Sequence, residues 1–460
     1  MIDILLTHGY FLSNDPIEQR VMKPYVPLGI LSIAAYLDRC GFQTAVFDST
    51  FASPVEFENA VARLHPLIVG ISVNMMTKFA ALRMIQIARR YGTFIAVGGP
   101  EPPHYAEEFL TYGADVVVIG EGEQTAADLV RMVKNGRADF AAIPGLAYRN
   151  EAGAVIRTTS RAFVSDLDSL PNPDRTKVDL EKYLAVWRER HGYTSLSMVT
   201  MRGCPYTCTW CSHAVYGESY RRRSPEAVVD ELQRLIDSYS PDAFWFADDV
   251  FTINHEWLNG FARELRERRV HIRYECITRA DRMNHEVVQQ LRSSGCSRVW
   301  IGSESGSQRI LDAMSRRVKA EQIRAVVKLS REAGIEVGMF IMLGYNGEQR
   351  EDIEQTVHHV KAAHPDIVLT TVAYPIKGTT FYREVTDRLR LPSLPFDQWN
   401  DRMIDIAGRY SRRFYWFANR RIINEAAWSR MLHNTRRSWL RIATSFIKAK
   451  ASQLGMSLTQ

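Results

Sequence analysis

Eleven short apolar runs, separated by stretches apolar at helical spacing, fill most of this chain, five before residue 123 and six after residue 194. No other feature constrains the fold as much. Strands that alternate with helices pair in parallel, with each helix crossing a face of the sheet. The first five runs are "IDILLTH" (2–8), "TAVFDST" (44–50), "LIVGISV" (67–73), "FIAVGG" (94–99) and "DVVVIGEG" (115–122). Between them lie "PLGILSIAAYLDRCG", "TKFAALRMIQIARRYG" and "AEEFLTYG", closed by Gly41, Gly92 and Gly113. This order predicts an α/β, doubly wound parallel sheet with a ligand crevice at the C-terminal ends of its strands. Gly98, Gly99, Gly120 and Gly122 cluster at those ends around Glu121. Such glycines let a large ligand approach the backbone, or simply make tight turns.

The second series is "SLSMVTMRG", "AFWFADD", "RYECITR", "RVWIGSES", "EVGMFIML" and "DIVLTTVAYP". Six βα units in succession predict a parallel barrel or part of one, with its site at the C-terminal mouth. "DLDSLPNPDR" (166–175) reads as a surface linker, and after residue 380 the pattern turns helical, aromatic and basic. The expected organisation is therefore a first domain over 1–135, a linker over 136–194, a barrel over 195–380 and a helical accessory region over 381–460.

A chain of 460 residues is too long for one hydrophobic core, and 46% apolar with 24% charged residues is ordinary for a globular protein. No apolar run is long enough to span a bilayer, and "MIDILLTHGY" lacks the basic start of a secretory leader. With six cysteines and no leader, the expectation is a reducing, cytoplasmic setting rather than a disulfide framework. The net charge of +6 hints only weakly at anionic partners, and no nucleic-acid motif is present.

Three of those cysteines, Cys204, Cys208 and Cys211, crowd into "RGCPYTCTWCSHAV" directly after the first barrel strand. Three readings compete. Chance would leave small buried hydrophobes. A structural zinc ion wants four N or S ligands, and only His213 lies near, with no second ligand pair following. An iron–sulfur cluster takes thiolates, and three on one loop would leave the fourth iron of a 4Fe–4S cubane open to a small molecule. Cys40, Cys276 and Cys296 are remote in sequence and need not take part.

"CPYTCTWC" closely resembles the C-x3-C-x-aromatic-C loop of radical S-adenosylmethionine (SAM) enzymes, and its place after the first barrel strand matches as well. The resemblance implies a 4Fe–4S cluster on Cys204, Cys208 and Cys211, whose open iron chelates the amine and carboxylate of SAM. One electron then yields a 5′-deoxyadenosyl radical that abstracts hydrogen from substrate. It also implies Trp210 near the adenine, and Asp248 and Asp249 facing the methionyl ammonium. Arg279 would meet the methionyl carboxylate, Glu304 the ribose hydroxyls, and Gly344 would let backbone approach the adenine. From the residues alone, a helix cap near Asp249 and a surface ion pair at Arg279 stay open as alternatives.

The first domain resembles the cobalamin-binding domain that precedes the barrel in one radical SAM subgroup, through "KPYVPLGILSIAAYLDRCGF", "VFDST", "VGGPEPP" and "VVVIGEGE". That subgroup includes anaerobic magnesium-protoporphyrin monomethyl ester cyclase and class B methyltransferases. The resemblance implies cobalamin contacts at Gly98, Gly99, Gly120, Glu121 and Gly122. The D-x-H-x-x-G motif that would supply a histidine to cobalt is absent, and His8 reads as a hydrogen-bonded loop residue. The expected activity is hydrogen abstraction from an unactivated C–H bond followed by methyl transfer from methylcobalamin. The alternatives are oxidative cyclisation or hydroxylation, or a domain that shapes the substrate site without cobalamin. Expected partners are a small-molecule, lipid-like or tetrapyrrole-like substrate and a flavodoxin- or ferredoxin-type electron donor. The basic aromatic tail fits a lipid-like substrate, a peripheral membrane surface or a solvated helix face.

Overall fold

A computed structural model describes residues 2–136, 139–432 and 438–459. Residues 137–138 of the expected linker and 433–437 of the expected helical region lie outside the described residues.

The first five runs form β1 (Ile4–His8), β2 (Thr44–Phe47), β3 (Ile68–Ser72), β4 (Phe94–Gly98) and β5 (Val116–Val118). They are parallel, in the order β2-β1-β3-β4-β5, so the chain reverses direction of winding between β1 and β3. Alternation along each strand feeds two cores. Leu5, Val69, Ile71 and Val97 face one layer with Phe57 and Phe109, whereas Ile4, Leu6, Ile68 and Ala96 face the other with Ile30, Leu37 and Leu129. Local signals hold the helices in place. Ser53 and Glu56 form a reciprocal capping box ahead of Pro54–Leu64.

The segment expected to be a linker does more than connect. Leu146–Arg149 (β6) and Val155–Arg157 (β7) add two antiparallel strands to the sheet edge, and Leu180–His191 forms a helix. The two strands are only four and three residues long, too short for alternation to show, so the tertiary edge of β5 rather than local pattern recruits them.

The second series forms an open six-stranded parallel sheet. Its strands are β8 (Ser195–Met198), β11 (Ala243–Phe246), β12 (Tyr274–Thr278), β13 (Cys296–Glu304), β14 (Glu336–Leu343) and β15 (Ile367–Val372). They neighbour one another in chain order, as a partial barrel requires. Between β8 and β11, the short pair β9 (Met201–Arg202) and β10 (Arg221–Arg222) closes the base of the cysteine loop. Ser224, Asn254 and Asn284 cap the helices Pro225–Tyr239, His255–Glu267 and His285–Ser293 with their side chains.

The C-terminal region becomes helical later than its sequence suggests. Residues 380–411 hold only short elements, the helix Thr380–Glu384, three 3-10 turns and one strand pair, before the long helices Arg412–Leu432 and Trp439–Leu458 pack on each other. The first of them covers β15 and the helix Arg350–Ala363. Among the described residues no helix is long and apolar enough to cross a membrane.

Candidate functional site

The cysteine loop leaves β9 through Gly203, whose φ is +81°; a Cβ there would stand 2.5 Å from the Ser219 carbonyl oxygen. Thr209 anchors the far side. Its N–H donates to Met314 O (3.3 Å), its carbonyl accepts from Phe381 N (2.8 Å), and its hydroxyl meets that of Tyr345 at 2.5 Å. All three thiols are free of disulfides, with Cys208 buried, Cys204 half-buried and Cys211 the most open. Cys211 and Cys204 line a cavity of about 250 Å³ together with His213, Tyr216 and Asp249. Trp210 packs beside the buried cluster of Ile310, Met314, Met342 and Phe381.

Cys208 meets two buried cations. Arg279 Nη1 and Arg316 Nη1 each donate to its sulfur at 3.5 Å. Arg279 is otherwise fully engaged: Nε donates to Asp281 (2.9 Å), Nη2 to the Arg316 carbonyl (2.6 Å), and the guanidinium lies 3.7 Å from the Tyr206 ring centre. In this arrangement the fork is spent on protein groups rather than open toward a methionyl carboxylate. Arg316 was not expected at the site. Two adjacent arginines in "MSRRVK" carry no signature, yet Ser315 and Arg317 both hold φ of +53°, and this turn presents Arg316 to Cys208. Its Nε–H is buried without a partner among the described residues.

The two aspartates after β11 separate. Asp248 is buried and accepts from Thr200 N (2.7 Å), Thr200 Oγ1, Met201 N (3.2 Å) and Arg222 Nη2 (3.2 Å). That saturated carboxylate is a post tying β8 to β11, and it corrects the expectation that both aspartates face a ligand. Asp249 projects into the cavity with Cys204 and Cys211. Burial, and then Asp248 beside it, hold its pKa above the ordinary value. Glu304 ends β13 with φ of +63°, a strained conformation for a non-glycine residue. Burial raises its pKa, while Arg316, 3.9 Å away, and Arg279 partly offset this. The space beside Gly344 is filled by Arg409 and Tyr415, so its observed close approach is to the chain's own C-terminal region.

The residues present fit a metal cluster. Cys211 is open at the loop surface, yet the protein packed around its thiol, reinforced by Cys208, Asp249, Cys204 and Glu304, desolvates it and pushes it up to about 12. Such crowding of groups that would be anionic is relieved by a bound cationic centre. Among the described residues, no three His, Cys, Asp or Glu side chains converge as a site for a single metal ion.

A second cavity, of about 280 Å³, lies at the strand ends of the first sheet and is bounded on its other side by the barrel's first loop. Gly98, Gly99, Gly120, Glu121 and Gly122 all line it, with Gly70, Ser72 and Ile33. Gly99 also has an internal reason to be glycine, since its φ is +101° and a Cβ would stand 2.6 Å from Val73 O. The Glu121 carboxylate is not free for a ligand. It pairs with Arg202 (2.8 Å) and Arg221 (2.9 Å) and accepts from Val164 N (2.8 Å), and Glu123 takes the other arm of Arg202 (2.5 Å). Glu121 thus stands on the cavity wall as expected, while its carboxylate forms a latch between the first domain and the base of the cysteine loop. Both ring nitrogens of His8 are engaged, Nε2 with Asp48 (3.0 Å) and Nδ1 with Ser49 (3.2 Å).

Residues 198–360 match the radical SAM superfamily and residues 20–130 match the B12 binding domain. The chain is therefore a radical SAM enzyme with an N-terminal B12-binding domain. Those two domains bring a 4Fe–4S cluster and SAM on one side and cobalamin on the other. Its sequence is 29% identical over 341 residues to an uncharacterized methyltransferase of Pyrococcus horikoshii, covering 73% of this chain and 72% of that one. It is 26% identical over 409 residues to the anaerobic magnesium-protoporphyrin IX monomethyl ester cyclase of Rubrivivax gelatinosus, covering 86% and 72%. The fold is shared with the cobalamin-dependent SAM radical enzyme OxsB, at a TM-score of 0.75 and 17% identity over 98% of this chain and 71% of that one. It is likewise shared with the radical SAM methyltransferase TsrM from Kitasatospora setae, at 0.70 and 19% over 88% and 80%.

Proposed function

We propose that this enzyme methylates an unactivated carbon of a small-molecule or lipid-like substrate. One observation carries the reading: the cavity of the first domain and the cavity at the cysteine loop share Pro100, Val199, Met201, Val215 and Tyr216 as walls. A substrate seated there would be within reach of both halves at once, as transfer of a group between them requires. When bound, the cluster and SAM supply a hydrogen-abstracting radical and cobalamin supplies the methyl group. The chain's own part is positional. Cys204, Cys208 and Cys211 hold the cluster, Arg279 and Arg316 offset thiolate charge at Cys208, and Asp249 and Glu304 offer carboxylates to the amine and hydroxyls of SAM. Similarity to named methyltransferases supports the reading, including the hopanoid C-3 methylase of Methylococcus capsulatus at 26% identity.

Oxidative cyclisation is the second reading, favoured by the similarity to the cyclase over 86% of this chain. Anaerobic turnover with methyl-labelled SAM in cell extract separates the two. Methyl transfer predicts label in a new product, and its loss in Cys204→Ala, Cys208→Ala and Cys211→Ala but not in Cys40→Ala. A product that gains a ring or an oxygen and no label would replace methyl transfer with cyclisation or hydroxylation.

A further inference from the structure

The helix Trp439–Leu458 has two apolar faces. Ile442, Ala449, Ser452 and Met456 are buried toward the body of the protein. On the opposite side Leu440, Ile447, Leu454 and Leu458 are 81%, 65%, 62% and 77% exposed, with Ala451 between them. Their spacing of seven, seven and four sets them in one stripe along the helix. Single exposed leucines are ordinary, but an aligned row of four marks a surface that something covers. The helix Arg412–Leu432 repeats the theme with Trp416 and Ile423, one heptad apart and both exposed.

Charge identifies the occupant. The two helices carry eight Lys and Arg residues against one acid, Glu425, which is buried and paired with Lys361. Arg441 and Lys448 stand next to Leu440 and Ile447 in sequence and are exposed, as is Lys450. Lys450 reaches over the Phe446 ring (5.6 Å), and Arg420 over that of Trp416 (4.6 Å). Cations flanking an apolar stripe suit a surface that is negative outside and hydrocarbon beneath. A second copy of the chain suits it poorly, because the helix Trp439–Leu458 has three cations and no acid to meet them. We propose that this face docks the enzyme on an anionic membrane, with the helix lying in the interfacial plane. The docking is independent of which reaction the enzyme performs.

The test is co-sedimentation of the cofactor-loaded enzyme, without oxygen, on sucrose-filled vesicles. One set is phosphatidylcholine alone; the other contains about 30% phosphatidylglycerol, near the charge of a cytoplasmic leaflet. Three cations at such a surface should raise partition by on the order of 100-fold over neutral vesicles, and added salt should erase the gain. Ile447→Glu with Leu454→Glu should abolish binding while leaving iron content and the melting transition unchanged. Should that variant misfold, Arg441→Ser with Lys448→Ser is the second probe, expected to weaken binding at least about tenfold. Failure to bind anionic vesicles at low salt, or equal partition onto neutral ones, would overturn the proposal. So would a dimer, seen by sedimentation, that the Ile447→Glu and Leu454→Glu pair dissolves, since the face would then join two copies.

Discussion

Asp248 and Asp249 are neighbours in sequence with opposite fates, and the difference is testable. Asp248→Ala leaves Arg222 and the Thr200 amide without their buried acceptor, which should destabilise the fold by about 3–5 kcal/mol. Chemical denaturation measures that loss. Asp249 makes no hydrogen bond or ion pair among the described residues, so in Asp249→Ala stability and iron content should hold while SAM affinity falls by about 2–5 kcal/mol if the lost pair is desolvated. Equilibrium binding measures it, and lost iron would reassign Asp249 to the fold. Arg316 gives a third residue-scale expectation. A cation that donates to a thiolate favours the more negative, reduced state of the cluster. Arg316→Gln should therefore assemble a cluster whose midpoint potential is more negative, read by paramagnetic resonance during redox titration without SAM. An unchanged potential would leave Arg316 with only a packing role.

At the scale of elements, the turn after β14 carries a buried switch in stability. Glu348 accepts from Gly344 N at 2.5 Å, its other oxygen has no partner among the described residues, and burial raises its pKa to about 8. The ordinary value is near 4.5, so between these limits the folded chain holds a proton that the unfolded chain has released. This contribution is present below pH 4.5 and is lost as pH rises through 8, with a slope approaching about 1.4 kcal/mol per pH unit. Glu348→Gln should flatten that part of the stability profile and make the protein more stable at pH 8. Equal slopes in the two proteins would show that Glu348 is ionised when folded. The parallel pairing of β1–β5 behaves differently, since it follows from the alternation of strands and helices legible in the sequence, whereas the lateral order of the strands comes from packing.

Across the whole molecule, the two domains are joined by buried charge. Glu121 receives Arg202 and Arg221, and on another side Lys78, fully buried, donates to Trp399 O (2.8 Å) with the Phe396 ring centre at 3.5 Å. Glu121→Ala should strand two half-buried arginines and lower stability by about 3–5 kcal/mol. Glu121→Gln, which removes the charge but keeps a hydrogen-bond acceptor, should lower it less; no loss in Glu121→Gln would mean that charge plays no part in the latch. Differential scanning calorimetry also reports whether the two domains then melt separately. None of these ties could be read beforehand, because Glu121 and Arg221 are a hundred positions apart and Lys78 and Trp399 more than three hundred. By itself the sequence determined the five parallel strands of the first sheet, the six of the second, the place of the cysteine loop after the first of those six and the three thiols on it, because strand periodicity and ligand spacing are local properties. Only the tertiary structure decided which charged side chains remain available. Asp248, Arg279 and Glu121 sit in the expected places, yet each is saturated by partners from distant segments, and Arg316 arrives at Cys208 from a turn 108 residues away. A carboxylate or guanidinium can be spent on structure or offered to a ligand, and that choice depends on what packs against it in three dimensions.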